Sequence, residues 1–204
     1  LRSGHVWEQY HEMMDDQAHR YWQERGLAPS YQDWWQLGWR PKWAFKQRDG
    51  SWYTTASATI PLFGPNWQPL NVKHRLITPP PNRGKYLYEL SGLPAPLFWC
   101  DPESALTGDV IAVEGEIKAM VVYATLDDPK SRVVGLPGIT PGPHIIAQFA
   151  SADRITLVGD PGTRVQLWKL TGQLGRKRCA VLIPPVKVDD GILSAGMSGN
   201  ELRA

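Results

Sequence analysis

The chain has 204 residues, room for one large domain or two small ones sharing a core. Apolar residues make up 42% and charged residues 21%, an ordinary balance for a folded protein, and no apolar run reaches the ~18–20 residues that span a bilayer. The net charge of +2 does not by itself announce a nucleic-acid binder, although the first half carries Arg40, Lys42, Lys46, Arg48, Lys73, Arg75, Arg83 and Lys85 and the second half the carboxylates Glu114, Glu116, Asp160, Asp189 and Asp190.

In chain order, residues 5–24 carry Val6, Tyr10, Met13, Met14, Ala18, Tyr21 and Trp22 mostly at three- and four-residue steps, which predicts one helix ending at Gly26. Ser30 reads as the N-cap of a second helix over 31–37, closing a helical hairpin. Asp49–Gly50 is a turn dipeptide between two β-like runs, 44–48 and 51–55. Further short strands are expected at 58–63, 70–77 and 85–90, with the proline-rich 78–84 as an extended, exposed loop. The first half, residues 1–107, therefore reads as α+β, helices followed by short antiparallel strands.

Residues 108–204 alternate differently. Strands are expected at 109–113, 132–136, 154–159 and 178–183, with helices at 116–126, 143–150 and 162–174 between them. Four strands alternating with three helices predict an α/β domain with a mainly parallel four-stranded sheet, covered on both faces. Chemistry in such sheets sits at the carboxyl ends of the strands.

Glu114 follows the first of these strands and Asp160 the third. Carboxylates at neighbouring strand ends can share a magnesium ion, a hard cation that takes oxygen ligands. Gly115 and Gly162 keep the adjacent turns small enough for a phosphate to approach the backbone. The same residues also suit helix ends: Asp160 as a cap and Glu116 in a first turn. Asp189 and Asp190 form a third acidic point, which read alone is an exposed turn.

Cys100 and Cys179 lack a CxxC spacing, which excludes a zinc ribbon within this chain; they read as free thiols of a reducing cytoplasm, with one disulfide as the alternative. The N-terminus lacks the apolar core of a signal peptide, and a start at Leu1 suggests a fragment of a longer protein. Seven of the ten tryptophans precede Trp67, serving the core or stacking on bases.

The string from Val110 through Glu114-Gly115-Glu116 to Lys118 resembles the first motif of toprim domains. Val133 to Gly138 is similar to the family's second strand and turn, and Thr156 to Gly162 lies where toprim proteins carry Asp-x-Asp. Lys187 to Leu193 resembles the acidic stretch after the last strand in bacterial-type and mobile-element primases. Tyr21-Trp22, Arg25-Gly26-Leu27 and Leu37-Gly38-Trp39 resemble the helical entry of primase cores, and Arg75 with Lys85-Tyr86 its basic positions.

The resemblance implies a primase-like core of the plasmid and phage replication subgroup. Glu114 and Asp160 would be catalytic and would bind magnesium or manganese with Asp189 and Asp190. Lys73, Arg75, Lys85, Tyr86, Gly115 and Lys118 would contact nucleoside triphosphates or single-stranded DNA. A helicase or initiator domain would lie outside this chain, and the setting would be cytoplasmic, away from membranes. Two departures stand out: Gly162 replaces the second Asp-x-Asp carboxylate, and Lys118 replaces the acid four residues after the first-motif glutamate. They open two alternatives, a catalytically impaired toprim module that binds single-stranded nucleic acid within a larger replication protein, and a toprim nuclease.

Overall fold

The computed structural model describes residues 5–128 and 130–199. They form two compact units: one runs to Leu62 and includes Pro69–Pro94, the other takes Phe63–Gln68 and the chain from Ala95 onward.

In the first unit the expected single helix over 5–24 is two, α1 (Val6–Glu12) and α2 (Asp16–Gln23). The break lies at Asp15, which is extended (φ −99°, ψ 179°) and accepts the Ala18 N–H at 2.9 Å. An aspartate is worth more to the backbone as a cap than as a mid-helix residue, so the apolar periodicity runs straight through a real boundary. The next helix, α3 (Pro29–Trp34), starts earlier than expected. Pro29 takes the first helical turn, where its missing N–H costs nothing, and Ala28 rather than Ser30 is the cap. The buried Gln32 ties α3 back to α2: its amide donates to the Leu27 carbonyl at 2.8 Å and its Oε1 meets His19 Nδ1 at 2.7 Å.

Strands β1 (Gly38–Lys46), β2 (Trp52–Phe63), β3 (Pro69–Leu76) and β4 (Tyr86–Tyr88) make a sheet in that order. β1 and β2 form the expected hairpin about Asp49–Gly50, with Gly50 at φ 88° and the Ser51 N–H on Asp49 Oδ1 at 3.0 Å. The two runs 51–55 and 58–63 are one continuous strand. Pro41 is tolerated in β1 because the ladder is irregular there, between Arg40 and Trp43. Trp43, Phe45 and Leu76 pack beneath the sheet with Tyr53 and Leu87.

The second unit holds β5 (Phe98–Trp99), β6 (Gly108–Glu114), α4 (Glu116–Leu126), β7 (Arg132–Leu136), α5 (Pro143–Ile146), β8 (Ala152–Val158), α6 (Arg164–Leu174), β9 (Cys179–Leu182) and α7 (Val188–Ala195). The sheet order is β5-β7-β6-β8-β9. The four expected strands are parallel to their neighbours, but the sheet has five strands and is mixed, because β5 lies antiparallel on β7. A two-residue strand leaves no alternation to read, so Phe98–Trp99 has no signature of its own. α7 is a second correction: Asp189 and Asp190 occupy the first turn of a helix packed on α4 rather than an exposed turn. Val110, Ala112, Val134, Leu136, Ile155, Leu157, Leu167 and Leu170 are buried together between sheet and helices. Each of the valine, leucine and isoleucine side chains contributes about 1.5–3 kcal/mol by leaving water.

Candidate functional site

β6 ends at Glu114, in register with Leu136 of β7. The chain then turns through Gly115 at φ 92°, a conformation that costs side-chain-bearing residues energy, and enters α4 at once. This turn lies against β7 only because residue 135 is also glycine. A Cβ there would come within 3.1 Å of Glu116 Cα, Gly115 O and Phe98 Cβ. One Oε of Glu114 is buried and has no hydrogen-bond partner among the described residues. Glu116 is buried in the first turn of α4, where its charge favours the helix N-terminus.

Asp160 stands just past β8, next to that strand end in the sheet. It is not the cap of α6 by its side chain: Thr163 is the cap residue, and its N–H and hydroxyl both donate to the Asp160 backbone carbonyl. The Asp160 carboxylate instead meets Lys118 Nζ at 2.5 Å. Lys118 reaches it from the first turns of α4. The two side chains are 15% and 23% exposed, so the pair is mostly out of water.

Asp189 is half-buried with one carboxylate oxygen lacking a hydrogen-bond partner among the described residues, and Asp190 is exposed. Among the described residues no three His, Cys, Asp or Glu side chains are grouped closely enough to hold a metal ion. The donor set present does not fit a two-ion site, because one Asp160 oxygen already belongs to an ammonium.

In the first unit the expected cationic residues do come together. β3 and β4 pair Lys73 with Tyr88 and Arg75 with Tyr86. Lys73 Nζ lies 4.6 Å from the Tyr86 ring centre and 5.6 Å from that of Tyr88, and Lys85 Nζ lies 5.7 Å from Tyr86. Arg75 donates to the Tyr86 hydroxyl at 2.7 Å. The rings attract the cations by their negative faces.

Sequence reading missed two members of this cluster as site residues, Tyr21 and Arg25. The Arg25 guanidinium stacks 3.6 Å from the Tyr21 ring centre, and burial, with Arg75 close by, lowers its pKa from the usual arginine value. Their four-residue spacing across the C-terminal end of α2, where Arg25 lies just past the helix, was the available signal.

Lys73 is buried, Arg75 half-buried and Lys85 exposed, whereas His74 adds no charge. It is 0% exposed, stacked 3.7 Å from Trp43, with Ser57 Oγ at 3.0 Å from Nδ1 and Glu89 Oε2 at 2.7 Å from Nε2. Burial pushes its pKa down, so the neutral ring donates to the carboxylate and accepts from the hydroxyl. Tyr10 also donates to Glu89, at 3.1 Å, and takes a bond from Arg40 at 2.9 Å.

No family model matches the chain and no curated protein matches it. Solved structures do. The Aquifex aeolicus primase, zinc-binding and RNA polymerase domains, superposes with a TM-score of 0.75 at 16% identity, over 97% of this chain and 57% of that one. The DnaG primase catalytic domain bound to ssDNA gives 0.74 at 14% identity, over 97% and 77%. The primase fragment of the bacteriophage T7 primase-helicase protein gives 0.64 at 18% identity, over 89% and 71%. This chain thus spans little more than half of the Aquifex chain, and at these identities the likeness is one of fold: that of a DnaG-type primase catalytic core with its toprim-like α/β sheet.

Proposed function

We propose that this chain, with the fold of a primase core, is a catalytically impaired toprim module that binds single-stranded nucleic acid as part of a larger replication protein. The observation that carries the reading is the Lys118–Asp160 pair. In metal-dependent nucleotidyl transfer a divalent ion held by such carboxylates offsets charge on the phosphoryl group and orients the attacking oxygen. Here a lysine supplies one fixed positive charge and no open coordination position. A phosphate approaching the strand ends would meet that ammonium and the backbone of the Gly115 turn. Binding without chemistry follows. The cations at Arg75 and Lys85 would take the backbone of a strand, with the buried Lys73 adding its charge from behind, and a solved primase domain of this fold is bound to ssDNA.

A second reading, primase-type nucleotidyl transfer with magnesium or manganese, is favoured by one feature. The unpartnered buried oxygens of Glu114 and Asp189 are donors of the kind a divalent cation takes. Fluorescence anisotropy with labelled single-stranded DNA, alongside template-dependent incorporation of nucleoside triphosphates, separates the two. The binding module retains salt-dependent binding with chelator present and in Asp160→Asn, and incorporates nothing with either metal. Incorporation by the wild type that disappears in Asp160→Asn would establish the catalytic reading in its place.

A further inference from the structure

We infer that the outer face of the β1–β2 hairpin is a base-stacking subsite for single-stranded nucleic acid, centred on Trp52 and continuous with the Arg75–Tyr86 cluster. The inference rests on the nucleic-acid-binding reading and names where a bound strand would run.

Trp52 is 70% exposed at the start of β2. Its partner across the ladder is Lys46, and the next pair on that face is Ala44 with Thr54, all three exposed. The alternate residues Trp43, Phe45, Tyr53 and Thr55 face the other way, towards the core. Trp52 is therefore a flat ring left in water beside a lysine, on a strand whose other face supplies the packing.

This face is the one that carries the candidate cations. Ser57 bonds His74, which places both on the inner face. Lys73 and Arg75 flank His74 and so share the opposite face with Trp52, Thr54 and Ala56 by alternation; Lys73 is buried there and Arg75 half-buried. The Ile77 N–H bonds the Ala56 carbonyl, so the end of β3 lies beside Ala56. From Ala56 to Trp52 is roughly 13 Å of strand, one face of a single sheet.

The charge of the surface selects the occupant. Between Arg40 and Tyr88 there are eight lysines and arginines and one acid, Asp49. The Asp49 carboxylate is turned into its own hairpin, accepting the Ser51 N–H and hydroxyl. A protein partner needs a contiguous apolar patch of several hundred Å². Here a lone indole is bordered by lysine, threonine and alanine. Unpaired bases offer the matching pattern: π-faces for the indole at intervals along a chain of phosphates for the cations.

The test compares the full chain with Trp52→Ala, Trp52→Phe and Lys46→Ala, using labelled oligothymidylate and an abasic strand of the same length. Loss of stacking on one base predicts about ten-fold weaker binding of oligothymidylate by Trp52→Ala, with the abasic strand bound as before. Trp52→Phe recovers part of the loss. Lys46→Ala weakens both ligands and lowers the slope of log K on log salt by about 0.7. Wild-type binding with Trp52→Ala equal to it would overturn the subsite and leave the binding function standing. Self-association of the wild type that Trp52→Ala abolishes would assign the face to a second copy and overturn it too. A wild type that binds neither strand refutes the proposed function, and the subsite with it.

Discussion

Replacing Lys118 by methionine tests the heart of the functional reading, because it keeps the stem and removes the charge. The pair lies between two regimes. Exposed ion pairs contribute about 0–1 kcal/mol, while removing one partner of a buried pair costs about 3–5. With the side chains 15% and 23% exposed, the expected loss is about 2 kcal/mol. The Asp160→Asn change in the same background should recover part of it, giving a coupling of about 1 kcal/mol or more in a double-mutant cycle. Urea unfolding followed by circular dichroism measures both. The same variant asks whether the lysine holds a cation site closed. With Asp160 released, magnesium should raise the stability of Lys118→Met, by about 1.4 kcal/mol at ten times its dissociation constant, and leave the wild type unchanged. A Lys118→Met protein within about 0.5 kcal/mol of wild type, uncoupled to Asp160, would mean that the lysine does not engage the carboxylate in solution. A wild type that magnesium stabilises as well as the variant would refute the claim that the pair displaces a metal.

Three further outcomes follow from the geometry. Gly38→Ala would place a methyl 2.6 Å from the Tyr10 backbone and must push α1 off β1, lowering stability by about 2 kcal/mol or more in thermal or urea melts; an unchanged midpoint would contradict that close approach. The buried network sets two pH limits. The His74 pKa lies below 6.5 and that of Glu89 below 4.5 in the fold, so stability is full above pH 6.5 and falls as acid protonates first the unfolded-state histidine and then the carboxylate. Tyr10 is pushed up to about 12 by burial, so stability also falls as pH rises above 10, by at most about 2.7 kcal/mol; Tyr10→Phe should flatten that alkaline limb in unfolding measured across pH. Finally, Lys85→Ala should weaken single-stranded DNA binding evenly across sequences and reduce the salt slope by about 0.7, measured by anisotropy; an unchanged slope would remove Lys85 from the strand's path.

Much of the second half could be read locally. The first three parallel strands are short runs such as Val110 to Val113, each followed within two residues by glycine and then by a helix. The carboxylates after the first and third are visible because strand and turn are determined by neighbours in sequence. The proline-rich stretch 78–84 and the Asp49–Gly50 hairpin are legible for the same reason: backbone preferences act within a few residues. In the first half, the periodicity of 5–24 was real, but Asp15 had a second local use as a cap, and pattern alone does not say which of two local options wins.

What only tertiary structure decided is what joins distant parts of the chain. Lys118 and Asp160 are 42 positions apart, and nothing in either segment shows that α4 aims its lysine at the β8 turn. Phe98–Trp99 becomes a strand only because β7 has a free edge beside it. His74, within a basic string, is buried because Trp43, Ser57 and Glu89 converge on it from other elements, and a neutral, doubly bonded imidazole is the form that survives there. Composition and periodicity act over one turn or one strand, and so they specified the elements and the residue types at their ends. Burial and charge pairing act across the fold, and they determined which of those residues are free to meet a ligand.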